Sequence, residues 1–129
     1  MTNEERAYAA GIVDGEGCLT VAVRKNRIYP RLTVTNTNPT LPLLFKNWFG
    51  GWITEDSKPY IPRAKIRYIW ELNGKPAVGV IKELLPYLRL KAVQAELLLE
   101  LWRAKGRKQQ ETLANGIRRL NRRGTDAAA

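Results

Sequence analysis

Apolar residues along this chain recur with two different spacings, and the switches between them mark out the elements. Thr2-Asn3-Glu4-Glu5 is a helix start: the Thr side chain accepts from the backbone three residues on, and a Glu at that position reaches back. The pattern predicts a helix from Asn3 to about Asp14, stopped by the closely spaced poor helix formers Gly15 and Gly17. From Cys18 to Lys25 the period falls to two. Leu19, Val21 and Val23 share one face, and Cys18, Thr20, Ala22 and Arg24 share the other, as a half-buried strand requires. After a turn at Asn26-Arg27, Tyr29 to Asn36 keeps that period. Leu32 and Val34 point inward and Tyr29, Arg31, Thr33 and Thr35 outward, which completes a hairpin with one apolar and one basic, polar face.

The second half repeats the plan. Asn38-Pro39 marks a loop and helix entry, and Leu41 to Phe49 reads as a short apolar helix closed by Gly50-Gly51. Trp52 to Thr54 starts a third strand, and a loop with Pro59 and Pro62 follows. Ala64 to Leu72 then sets Ile66, Tyr68, Trp70 and Leu72 against Lys65, Arg67, Ile69 and Glu71. Lys75-Pro76 opens a helix over Ala77 to Leu85, which Pro86 interrupts. Lys91 to Arg103 is Leu-rich and amphipathic, with Gly106 at its end, and Gln109 to Arg123 adds a short basic helix. The order α-β-β-α-β-β-α-α predicts an α+β domain with helices on one face of an antiparallel sheet. Trp48, Trp70 and Trp102 fall at apolar positions and read as core; Trp52, after a Gly-Gly turn, reads as packing.

Composition narrows the function. A chain of 129 residues with 44% apolar residues supports one modest core, here residues 1–105, with a basic helix or tail over 106–129. The net charge of +10 predicts a polyanionic partner, nucleic acid before a membrane surface. That charge is uneven: residues 24–67 hold nine Lys or Arg against two acids, and residues 101–124 hold eight against one. Histidine is absent and Cys18 is the only cysteine. Disulfide scaffolds, zinc fingers, iron–sulfur clusters and nucleases with a histidine general base are thereby excluded. Hydrolytic chemistry would have to come from carboxylates, lysine, bound water and metal. With no signal-peptide core and no apolar run long enough for a bilayer, the expectation is a soluble, unexported protein of the cytoplasm or another intracellular compartment.

The most specific stretch is Ala9-Ala10-Gly11-Ile12-Val13-Asp14-Gly15-Glu16-Gly17, an apolar helix that ends in two carboxylates among glycines and runs into the basic hairpin. It resembles the motif that names the LAGLIDADG homing endonucleases. Ala10, Gly11, Asp14 and Gly17 match its letters, Ile12 and Val13 are conservative replacements, Glu16 keeps the second acid, and Ala9 and Gly15 depart in size only. Leu85-Pro86-Tyr87-Leu88-Arg89-Leu90-Lys91 with Gln94-Ala95 is similar to that family's later helix entry, so the resemblance spans roughly residues 5–105.

The resemblance implies a curved four-stranded antiparallel sheet forming a DNA-binding saddle. With a single motif per chain it implies a homodimer, in which Ala10, Gly11 and Asp14 lie at the interface. Small residues there permit close helix approach about a two-fold axis. Glu16 and the backbone carbonyl of Gly15 become candidate Mg²⁺ ligands, with Mn²⁺ or Ca²⁺ substituting, because a helix C-terminus attracts a divalent cation. Asp14 reads as a cap or interface acid. Lys91 matches a basic residue near the scissile phosphate, and Asn38 a polar position that orients water, or else a plain turn residue before Pro39. Thr20, Ala22, Arg24, Asn26, Arg27, Tyr29, Arg31, Thr33 and Thr35 become the DNA-reading set, extended by Arg63, Lys65 and Arg67. Arg118, Arg119, Arg122 and Arg123 read as phosphate anchors or a solvated helix.

The implied function is a site-specific, metal-dependent, intron-encoded endonuclease. It would cut a long pseudo-palindromic duplex across the minor groove, leave short 3′ overhangs and need no small-molecule substrate. A free-standing chain of this length argues against an intein insertion. Two rivals stand beside this reading: the same fold used only for binding, as an intron RNA maturase or a DNA-binding regulator, and a small basic RNA-binding protein of ribosome type.

Overall fold

The computed structural model describes residues 1–58 and 60–128, with side chains through 122. Pro59 and the side chain of Arg123, both read above, lie outside them. Helix α1 spans Asn3–Glu16, and its start is the expected reciprocal cap: Glu5 N–H donates to Thr2 Oγ1 at 3.1 Å, and Thr2 N–H donates to Glu5 Oε1 at 2.9 Å. The helix runs two residues beyond the expected end. Gly15 and Glu16 stay helical, and Gly17 alone stops it. A Cβ on Gly17 would lie 2.8 Å from the Val13 Cα, so only glycine lets the chain turn this tightly off the helix.

Strands β1 (Gly17–Arg24) and β2 (Arg27–Asn36) pair antiparallel, Leu19 opposite Leu32 and Thr20 opposite Arg31. The turn sits one residue earlier than expected, at Lys25 and Asn26. Both have positive φ, as a two-residue hairpin turn demands, and Arg27 already belongs to the returning strand. Helix α2 covers Thr40–Phe49, and Gly50 and Gly51 follow with positive φ. A side chain on Gly51 would meet the Glu71 carbonyl at 2.7 Å.

Strands β3 (Trp52–Asp56) and β4 (Arg67–Asn73) form the second hairpin. Here the expected strand over Ala64 to Leu72 is corrected. Ala64 donates to the Ile61 carbonyl within a turn and Arg63 takes φ 64°, so Arg63, Lys65 and Ile66 stand outside the ladder. The strand order is β1-β2-β4-β3, which joins the hairpins through β2 and β4, with Leu32 opposite Leu72 and Val34 opposite Trp70. That register places Leu19, Leu32, Val34, Trp70 and Leu72 on one face and Cys18, Thr20, Arg31, Thr33, Glu71 and Asn73 on the other.

Helices α3 (Lys75–Leu84), α4 (Ala92–Arg103) and α5 (Arg107–Ala128) join α1 and α2 against the first face. A 3-10 turn over Leu85–Tyr87, forced where Pro86 cannot continue the ladder, links α3 to α4. The core comprises the inner strand residues, Ala9, Ala10, Ile12 and Val13 of α1, Phe45, and the buried faces of the last three helices. Trp70 anchors it: its ring lies 5.1 Å from that of Phe45, and Nε1 donates to the Gly50 carbonyl at 2.7 Å. Two other tryptophans depart from expectation. Trp52 is 51% exposed and Trp102 42% exposed, because register turns Trp52 to the outer face and Trp102 lies at the open end of α4. Helix α5 is longer than the expected Gln109 to Arg123 and is seated by the fully buried Ala114 and Ile117. Among the described residues no helix is long and apolar enough to cross a membrane.

Candidate metal and nucleic-acid site

The last turn of α1 contains two acids and no basic residue, and its final carbonyls lack helical partners. Each acid is treated differently. The Asp14 carboxylate accepts three backbone N–H groups from the segment entering α4: Arg89 at 2.9 Å, Leu90 at 3.2 Å and Lys91 at 3.0 Å. It is therefore a cap, but of another helix's start, where the N-terminal dipole favours an anion. Glu16 is exposed and makes no hydrogen bond or ion pair among the described residues.

Lys91 closes the same end of α1 from across the fold. Its Nζ donates to the Val13 carbonyl at 2.9 Å and the Gly17 carbonyl at 2.5 Å, bringing a cation to the helix terminus that lacked one. Partial burial pushes the Lys91 ammonium below its ordinary range, while Cys18, Asp14 and Glu16 nearby act in the opposite sense. An ammonium has three donors, and two are spent on these carbonyls. Glu16, Asp14 and Lys91 thus converge where α1 meets β1, although Lys91 is 75 residues from Glu16.

The fit to a divalent ion can be judged from the donors. Glu16 and the terminal α1 carbonyls, Gly15 among them, are all oxygen, the type that Mg²⁺ and Ca²⁺ take. One chain brings a single free carboxylate, and no three His, Cys, Asp or Glu side chains cluster among the described residues. The set fits an ion only as part of a site completed by other oxygens.

Other expected site residues are placed less uniformly. Asn38 Oδ1 accepts from Thr40 N at 2.9 Å and Thr40 Oγ1 at 2.7 Å, which makes Asn38 the turn that launches α2; no bond joins it to Glu16 or Lys91. Gly11 and Gly15 lie on the exposed side of α1 with open space where a Cβ would be. Ala10 corrects the interface expectation. It is 0% exposed inside the chain's own core, and the exposed small residues are Ala7, Gly11 and Gly15.

The outer sheet face carries the expected reading set from Thr20 to Thr35 in register. Asn26 sits at the exposed hairpin tip, and Ala22 is shielded at 6% exposure although it is no part of the core cluster. Charge on this face is more balanced than the basic residues alone predict. Arg31 donates to Asn73 Oδ1 at 2.8 Å and lies 3.6 Å from Glu71, and Arg67 is paired with Asp56. Arg24 and Arg27, opposite one another near the tip, have no acidic partner among the described residues. The sequence reading missed these acids because their positions depend on the pairing of β2 with β4. It also missed that Asp14 and Lys91 bind across the fold, for which the only available signal was the Leu85 to Lys91 helix entry.

No family model and no curated protein sequence matches the chain. Among solved structures it is similar to the homing endonuclease I-CvuI in complex with its target, at 23% identity over 91% of this chain and 82% of that one, TM-score 0.71. It is also similar to the archaeal intron-encoded homing endonuclease I-Vdi141I complexed with DNA, at 17% identity over 92% and 84%, TM-score 0.74. A third is the LAGLIDADG homing endonuclease I-GzeII in complex with a DNA target, at 16% identity over 87% of this chain and 42% of that one, TM-score 0.59. The architecture is therefore that of the LAGLIDADG homing-endonuclease fold, with a single α-β-β-α-β-β unit among the described residues.

Proposed function

We propose that this protein is a site-specific, metal-dependent double-strand DNA endonuclease that acts as a homodimer. The observation that carries the reading is the division of labour at the C-terminus of α1. Asp14 is fully engaged in holding the fold, while Glu16 is left uncommitted beside Lys91, where the outer sheet face begins. Glu16 and the Gly15 carbonyl would hold Mg²⁺, with Mn²⁺ or Ca²⁺ as substitutes. When bound, such an ion activates water and stabilises the leaving oxygen. Lys91 offsets charge developing on the phosphate, and the outer face reads the duplex.

Homodimerisation is supported by Gly11 and Gly15. Among the described residues, nothing beyond the helix's own neighbouring backbone lies within 4 Å of their Cβ positions, so packing within the chain does not require them to be small; a second α1 packed there would. The twin motif would also supply the oxygens that one chain lacks. The rival is a binding-only protein of the same fold, since a single free carboxylate per chain is a weak metal site unless a second chain completes it.

Mg²⁺-dependent cleavage of a randomised duplex library by wild type and by Glu16→Gln decides between them. Cutting by wild type alone is expected. Cutting by both proteins would overturn the metal assignment, and cutting by neither with retained binding would favour the rival. A monomer by light scattering at micromolar concentration would remove the shared site.

A further inference from the structure

Basic charge falls on two surfaces of this chain, and the second lies off the sheet. Helix α5 is two-sided. Ala114 and Ile117 are fully buried on one side, and Asn121 Nδ2 donates to the Leu19 carbonyl at 3.0 Å. β1 is an edge strand, and this bond to one of its carbonyls docks α5 at that edge, where an uncovered strand would be a liability.

On the solvent side, Asn115, Arg118, Arg119 and Arg122 follow the i, i+3, i+4, i+7 spacing of one helix face and are all exposed. With Thr20 from the outer sheet face they border an open concavity of about 560 Å³. No acid neutralises these guanidinium groups among the described residues. Among the described residues the one ion pair of α5 is Arg107 with Glu111, two to three turns away, and Arg118 Nη1 donates to Asn115 Oδ1 at 3.3 Å.

We propose that this arginine stripe is a second anion-binding surface that holds the phosphodiester backbone of the same duplex whose bases face the sheet, carrying contact past the edge strand. The inference rests on the reading of the outer face as a DNA surface. Thr20 ties the two together, since its side chain belongs to that face and also borders the concavity. The chemistry specifies backbone. Arginine forks match phosphate oxygens in two-point bonds, and the concavity has no aromatic wall on which an unstacked base could lie.

The test uses the full chain carrying Arg118→Gln, Arg119→Gln and Arg122→Gln together. Glutamine keeps helix propensity at exposed positions. Affinity for a random-sequence duplex is measured across a salt series. The slope of log affinity against log salt should become shallower by about 2.7, at about 0.9 per phosphate contact, and each single variant should contribute about one third of that. The matching triple Lys variant, which keeps the charge, should hold close to the wild-type slope. Wild-type binding with an unchanged slope in the Gln variants overturns this inference alone; no wild-type binding to duplex overturns the DNA reading and this inference with it. A larger loss on single-stranded poly(dT) than on duplex would also overturn the assignment to duplex backbone.

Discussion

The two ends of helix α1 are built by opposite means. At its N-terminus, Thr2 and Glu5 satisfy each other's backbone groups within four residues, and the one distant addition is Trp48 Nε1, which donates to the other Glu5 oxygen at 3.2 Å. At its C-terminus, no local residue closes the helix; Gly17 turns the chain, and the partners arrive from 74 to 78 positions away as Lys91 and the Arg89 to Lys91 backbone. The self-sufficient end serves stability. The end that depends on tertiary structure is the one that keeps an uncommitted carboxylate, as a site does when its chemistry must remain available to a ligand.

This contrast can be broken from either side. The largest effect is expected from Glu16→Gln, which should lower metal-dependent cleavage by on the order of 10²–10³-fold, by analogy with loss of one electrostatic stabiliser, while leaving the melting temperature unchanged. A comparable fall in stability would show that Glu16 is structural. Asp14→Ala should do the reverse, costing about 2–3 kcal/mol in denaturant unfolding because three backbone donors lose a charged acceptor. A loss of activity without that cost would move Asp14 into the chemistry. Gly17→Ala should cost about 2 kcal/mol, since its Cβ would press on the Val13 backbone.

Smaller effects test the local end. Thr2→Ala should cost about 1 kcal/mol and leave duplex binding untouched. The finest probe is acid titration of thermal stability. Backbone and side-chain hydrogen bonds from Thr2 and Trp48 hold the Glu5 carboxyl below its ordinary range. A folded pKa below the unfolded one gives stability that is present above the ordinary Glu range and lost as pH falls through the depressed value. Glu5→Gln should flatten that part of the profile, and an unchanged profile would show that the cap carries no charge dependence.

The parts of the fold legible in the sequence are those coded by neighbours. Alternation assigned Thr20, Arg31 and Thr33 to one face and Leu19, Leu32 and Val34 to the other, because strand side chains alternate whatever the partner. The same rule placed Trp52 poorly: a Gly-Gly turn does not tell which face follows, and only the Trp52–Glu71 register does. The resemblance already set Asp14 apart as a cap or interface acid and Glu16 as the metal candidate, but it could not tell which groups Asp14 caps, since its donors are backbone N–H groups of the distant α4 entry. Small size at Ala10 and Gly11 looked equivalent in the chain; packing buries Ala10 and leaves Gly11 open.

By itself, then, the sequence determined the element order, the polarity of the β1, β2 and β4 faces, the capping box of α1 and the excess of basic charge, all of which follow from contacts within a few residues or from composition. Tertiary structure alone decided the β1-β2-β4-β3 order, the pairing of Arg31 and Arg67 with acids, the docking of α5 on the sheet edge, and the commitment of Asp14 but not Glu16. Each of these depends on which distant groups meet, and that is set by how all the apolar faces are buried at once rather than by any one segment.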